Sequence, residues 1–164
     1  MKKTMGIFLA SILAFSAVGC ADTNNKSSGP INKKDEVIKN HKIGESINLD
    51  KDKNVMVSVT NMRKVEKDVL GNDINNTYAI EIEIVNNSNN DIESDFINNY
   101  IVKDNENREC EQVLNQISPQ LMYDTIHPGD TLKGEIAYQV EEGATPKTIE
   151  IDLGLEYYTV FDLN

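Results

Sequence analysis

Two cysteines and two histidines carry most of the chemistry open to this 164-residue chain: Cys20, Cys110, His41 and His127. Cys110 lies in Asn107-Arg108-Glu109-Cys110-Glu111. A thiol becomes a nucleophile when a neighbouring base, usually histidine, takes its proton. Only His41 and His127 are available for that role. Glu109 and Glu111 would act the other way and hold the thiol protonated if they lay close to it. Cys110 is therefore expected to be inert or half-buried, with an intermolecular disulfide and then a reactive site as the alternatives. Asp124-x-x-His127-x-x-Asp130 spaces three possible metal ligands evenly. Zinc favours His and Cys ligands, and a catalytic zinc uses three plus water. One imidazole between two carboxylates, with Pro128-Gly129 inside the motif, reads instead as a turn. No metal site is expected, and Asp124, His127 and Asp130 are the residues to watch. Two histidines in all exclude a copper/zinc superoxide dismutase site, which needs more imidazoles. Asp50-Lys51-Asp52 and Asp104-Asn105-Glu106-Asn107 offer oxygens for calcium, yet neither fits the twelve-residue loop ending in Glu. Glu81 and Glu83 fit a solvated strand face better than an acid and base pair. The chain has no Gly-rich phosphate loop, no G-x-S-x-G elbow and no S-x-x-K. It is expected to be no enzyme, with no catalytic residues and no cofactor.

Cys20 differs in its surroundings. Met1-Lys2-Lys3 is a short positive start, and Ile7 to Val18 is apolar or small apart from the hydroxyls of Ser11 and Ser16. From Ala21 the chain turns polar. This is the layout of a secretory signal. The apolar core is too short for a membrane span, which takes about 20 residues. Ala17-Val18-Gly19-Cys20 resembles a bacterial lipobox, with Ala17 departing from the usual leucine. The resemblance implies a diacylglyceryl group on the Cys20 sulfur and cleavage between Gly19 and Cys20. Two acyl chains suffice for a stable anchor at about 0.8 kcal/mol per buried CH₂. Residues 1–19 are thus read as a lipoprotein signal peptide. Residues 20–40 are read as the lipidated cysteine and a flexible tether, too polar to fold alone.

Removing nineteen residues from 164 leaves 145, the size of one domain plus a tail. The formal charge is −11, and losing Lys2 and Lys3 makes it about two units more negative. Such a chain repels phosphate backbones, so nucleic acid is not an expected partner. Anionic lipid repels it too, which leaves any anchoring to the acyl chains. With Cys20 bound to lipid, Cys110 has no partner within the chain, and a disulfide framework is excluded.

The remaining side chains are positioned by strands. Val55-Met56-Val57-Ser58-Val59, Tyr78-Ala79-Ile80-Glu81-Ile82-Glu83-Ile84, Leu132–Val140 and Ile149–Leu153 alternate apolar and polar residues. Period two with β-branched residues predicts half-buried antiparallel strands. Ser46–Leu49, Phe96–Lys103 and Tyr157–Phe161 are weaker strands. Glu111–Thr125 is ambiguous: Gln112–Ile117 reads as one helical turn or as a loop. Gly71-Asn72-Asp73, Asn86–Asn90, Asp104–Asn107, His127–Asp130 and Glu141-Glu142-Gly143 supply the turns. About seven short strands so punctuated predict an all-β, immunoglobulin-like antiparallel sandwich over 41–164.

Four features then occur in order: Ile43-Gly44-Glu45, the Val-rich 55–59, Tyr78–Val85 running into Asn86-Asn87-Ser88, and Pro128-Gly129-Asp130 before Leu132-Lys133-Gly134-Glu135-Ile136-Ala137-Tyr138. Together they resemble the telokin-like, immunoglobulin-like domains of bacterial lipoproteins and secreted antigens, a family catalogued as a domain of unknown function. The resemblance covers roughly residues 41–155. It implies a sandwich and brings no catalytic residues. Gly134 is expected to let a neighbouring backbone come close. The expected function is a non-enzymatic binding module on the outer face of the cell membrane, held by its lipid anchor and meeting an envelope protein. The alternative is a metal- or small-ligand-binding accessory lipoprotein of a transporter.

Overall fold

The computed structural model describes residues 40–52, 54–114 and 116–164. The signal peptide, its cleavage residues Gly19 and Cys20, and the tether as far as residue 39 lie outside the described residues. Asn40, read above as the last tether residue, is the first residue of a strand.

All regular structure among the described residues is β: β1 (Asn40–Lys42), β2 (Ser46–Asn48), β3 (Val55–Lys67), β4 (Asp73–Asn86), β5 (Ile92–Ser94), β6 (Tyr100–Asp104), β7 (Glu111–Val113), β8 (Asp124–Ile126), β9 (Thr131–Gln139), β10 (Pro146–Ile151) and β11 (Thr159–Asp162). The count exceeds the expected seven because five of these strands have only three residues. One sheet runs β1-β11-β10-β6, a second β2-β3-β4-β9-β7, and β5-β8 forms a two-stranded ribbon. The pairing is antiparallel except for β1 on β11.

The two larger sheets face each other across one apolar core. Val55, Val57, Val59, Ile80, Ile82, Ile84 and Ile136 come from one side, and Val102, Ile149, Ile151 and Phe161 from the other. Each of these is at most 1% exposed. The fold is thus the β-sandwich expected from the alternation. The buried tyrosines are tied to polar groups: Tyr100 and Ser94 share a hydroxyl hydrogen bond of 2.8 Å, and Tyr138 donates to the Tyr100 carbonyl at 3.2 Å. Burial pushes the Tyr100 phenol up to about 12.

Two stretches differ from expectation. Phe96–Asn99 is a turn, so β6 starts only at Tyr100. Asp95 makes that turn by accepting the Ile97 N–H on its carboxylate at 3.0 Å and the Asn99 N–H on its carbonyl at 2.9 Å. The ambiguous stretch gives neither a helical turn nor a plain loop. It contributes β7, then wraps the edge of β9. Ile117 packs on the outer face with Val65, Ala79 and Ala137. Gln120 bridges to Glu135, and Leu121 enters the core beside Gly134. A Cβ on Gly134 would stand 3.3 Å from the Leu121 amide nitrogen, which is the close backbone approach expected there.

Candidate functional site

Cys110 follows the turn that closes β6. The Asp104 carboxylate accepts N–H groups from Glu106 at 2.8 Å and Arg108 at 2.9 Å, and the Arg108 guanidinium at 2.8 Å. Burial alone would raise the Asp104 pKa, but the Arg108 amide and guanidinium with the Glu106 amide hold it below the usual carboxylate range. These bonds occupy the Asp104 oxygens considered for calcium. Asp50 is engaged the same way, accepting from the Asn54 and Val55 amides at 2.7 and 3.0 Å.

The Cys110 thiol is half-buried, against the core, and pushed up to about 11. Burial is the main cause, followed by Asp104, with Arg108 opposing. The effect has the expected sign, but Asp104 replaces Glu109 and Glu111 as the charge responsible. Neither histidine serves the thiol. His41 tilts against Phe161 with ring centroids 5.9 Å apart and reaches Glu45 at 3.4 Å. His127 Nδ1 pairs with Asp91 at 2.9 Å. Beside Cys110 lies a groove of about 530 Å³ lined by Asp104, Arg108, Glu109, Glu111, Glu141 and Glu142 among others. Its charge is acidic, and Arg108 is already held by Asp104 and by Glu106 at 3.0 Å.

The Asp124, His127 and Asp130 motif does not assemble into a metal set. The turn bonds the Asp130 amide to the His127 carbonyl at 3.0 Å, and the imidazole turns to Asp91. Among the described residues, no group of three His, Cys, Asp or Glu side chains converges as metal ligands would. Asp91, which the spacing argument missed, raises the His127 pKa through its hydrogen bond and its charge.

Glu81 and Glu83 stand on the outer face of the second sheet. Thr60 donates to Glu81 at 2.6 Å, and Lys133 reaches Glu81 at 3.3 Å and Glu83 at 3.8 Å. Glu81 lies opposite Glu135 across β4 and β9. Like charges so placed repel, and Arg63 offsets this by gripping Glu135 with two bonds of 2.9 and 2.6 Å. The cluster is an ion-paired strand face, three carboxylates against two cations.

A further surface was not singled out from the spacing of reactive residues. Around the β5-β8 ribbon, Ile97, Leu114, Met122 and Tyr123 are exposed. The Tyr123 hydroxyl donates to Glu93 at 2.5 Å, and that bond raises the phenol pKa. The Met122-Tyr123 pair in a stretch without lysine or arginine was the available signal.

Residues 41–159 match the family described as a domain of unknown function, DUF4352. The chain belongs to that family. No curated protein sequence matches it. Among solved structures, this DUF4352 chain is similar to the yjhA protein of Bacillus subtilis at a TM-score of 0.58 and 18% identity, over 76% of this chain and 99% of that one. It is similar to MPT63, a secreted protein of Mycobacterium tuberculosis, at 0.53 and 13%, over 76% and 97%. A Bacillus subtilis protein classed as a lipoprotein, ycdA, gives 0.53 and 11%, and the DUF4352 chain spans 79% of itself but 38% of that chain. At such identities the likeness is one of fold.

Proposed function

We propose that the chain is a non-enzymatic binding module of telokin-like, immunoglobulin-like type, displayed outside the cytoplasm and anchored through acyl chains on Cys20. The observation that carries this reading is the order of parts. A signal-like segment ends on Ala17-Val18-Gly19-Cys20, a polar stretch follows, and a sandwich begins at Asn40. The secreted MPT63 and ycdA, classed as a lipoprotein, share the fold and support an envelope location. Cys110, held protonated and away from both histidines, supports binding over catalysis. The partner expected is an envelope protein with a basic surface, which the acidic chain would attract at long range.

The reading is tested in cells producing the full chain. Cys20→Ser is expected to abolish incorporation of labelled fatty acid and to move the protein from the membrane fraction to the medium, with the domain still folded. Retention of label or of membrane binding in that variant would overturn the anchor.

A further inference from the structure

We propose that the apolar surface at the β5-β8 ribbon docks a basic, amphipathic segment of a partner polypeptide; this rests on the binding-module reading and gives it a surface. Ile97, Leu114, Met122 and Tyr123 are 61%, 46%, 52% and 62% exposed. Three links bring their segments together. Pairing of β5 with β8 sets Glu93 and Ser94 against Thr125 and Asp124. The Tyr123 hydroxyl rests on Glu93. The Gln112 side-chain amide donates to the Phe96 carbonyl at 2.8 Å, which brings β7, and Leu114 after it, beside the turn carrying Ile97. Single exposed apolar residues are ordinary on a protein surface, whereas several large ones gathered at one end are not.

Charge selects the occupant. Glu93, Asp95 and Asp124 border these residues, and no lysine or arginine occurs from Asp68 to Val102 or from Glu109 to Leu132. The Asn98 amide and the Ile97 N–H hold the Asp95 carboxyl below its usual range, so it stays charged. An apolar surface in a field of one sign fits leucine-like side chains interleaved with lysine or arginine. A second copy would set carboxylates on carboxylates, and an anionic membrane would be repelled in the same way. Tyr123 is already held by Glu93, so its ring loses little freedom when covered.

The test uses the chain from residue 20 onward carrying Cys20→Ser. The probe is a short synthetic peptide of leucine and lysine, with leucine/glutamate and serine/lysine peptides as controls. Backbone amide NMR shifts are expected to move at residues 93–97, 112–114 and 122–125 with the leucine/lysine peptide alone. Binding should weaken at least tenfold in an Ile97→Ser, Met122→Ser double variant and should fall with added salt. Unchanged amide signals elsewhere in that variant show that it is folded. Equal binding of the serine/lysine peptide would reduce the surface to charge alone and overturn the proposal. So would equal binding of the leucine/glutamate peptide, self-association through the same amides, or no saturable binding. A photocrosslinker placed in intact cells at Met122, and separately at Leu70 on the β3-β4 turn, separates the two readings. Capture at Met122 counts only when the crosslinked segment is apolar and basic. Specific capture at Leu70 alone overturns the surface and keeps the binding module; capture at neither overturns both.

Discussion

Gly134 shows how much can rest on a missing side chain. A Cβ there would lie 2.9 Å from Leu121 Cγ and 3.3 Å from its backbone nitrogen, and the backbone cannot withdraw without leaving β9. Gly134→Ala is expected to lower stability by about 1–3 kcal/mol, the usual cost of overpacking. Denaturant unfolding checks it: the midpoint should fall with the slope unchanged. His127 gives a different single-residue test. Asp91 raises its pKa in the folded chain, so this pair adds stability below the unfolded histidine value of about 6.5. That contribution is lost as pH rises through the folded value. The imidazole should titrate above 6.5 by NMR and return toward it in Asp91→Asn; an unmoved midpoint would show that the pair does not form in solution. The candidate site was only partly legible at this scale. That Cys110 is no activated nucleophile could be read from the scarcity of histidine and the glutamates beside it. The charge that acts on it could not, because the Asp104 turn that folds back on Arg108 is a contact four residues long. The even spacing of Asp124, His127 and Asp130 misled because a Pro-Gly turn redirects the imidazole to a residue 36 positions away.

Among the elements, β3 marks where period-two reasoning stops. Val55, Val57 and Val59 were legible as one face, yet the strand continues to Lys67. Register slips between Val59 and Asn61, so Thr60 is an extra residue and the inward phase moves to Met62. A bulge of this kind inverts the alternation, and a reader of alternation sees the strand end. The segment after β7 was illegible for another reason. Its apolar residues serve two faces: Ile117 covers the outside of β4 and β9, and Leu121 fills the inside. Neither period describes a chain that wraps an edge. Ile117→Ala should therefore cost about 2 kcal/mol, the low end for a buried isoleucine beside solvent. Hydrogen exchange should quicken at residues 116–121 while the amides of β3 and β4 keep their protection. A uniform loss of protection would mean that the wrap is part of the main cooperative unit.

At the scale of the whole molecule, the sandwich is closed by its two ends. Asn40, His41 and Lys42 pair with Val160, Phe161 and Asp162, and β11 also pairs with β10. Phe161 is fully buried and Leu163 is 3% exposed. Deleting Thr159–Asn164 should thus remove the cooperative unfolding transition and expose apolar surface to a hydrophobic dye. A sharp transition in the truncated chain would show that the second sheet holds the fold alone.

The same pairing sets an order of events in time. β1 leads the domain, and its partner β11 is the last strand among the described residues. A chain leaving the cell with its amino end first would present β1 long before β11 arrived. Chain entropy opposes closure of so long a loop, and sheets joined across such distances form slowly. If Cys20 is acylated as proposed, that attachment would come early and completion of the first sheet last. During that interval the inward faces of β3 and β4 would stand open at the membrane, where a folding helper would have its time to act.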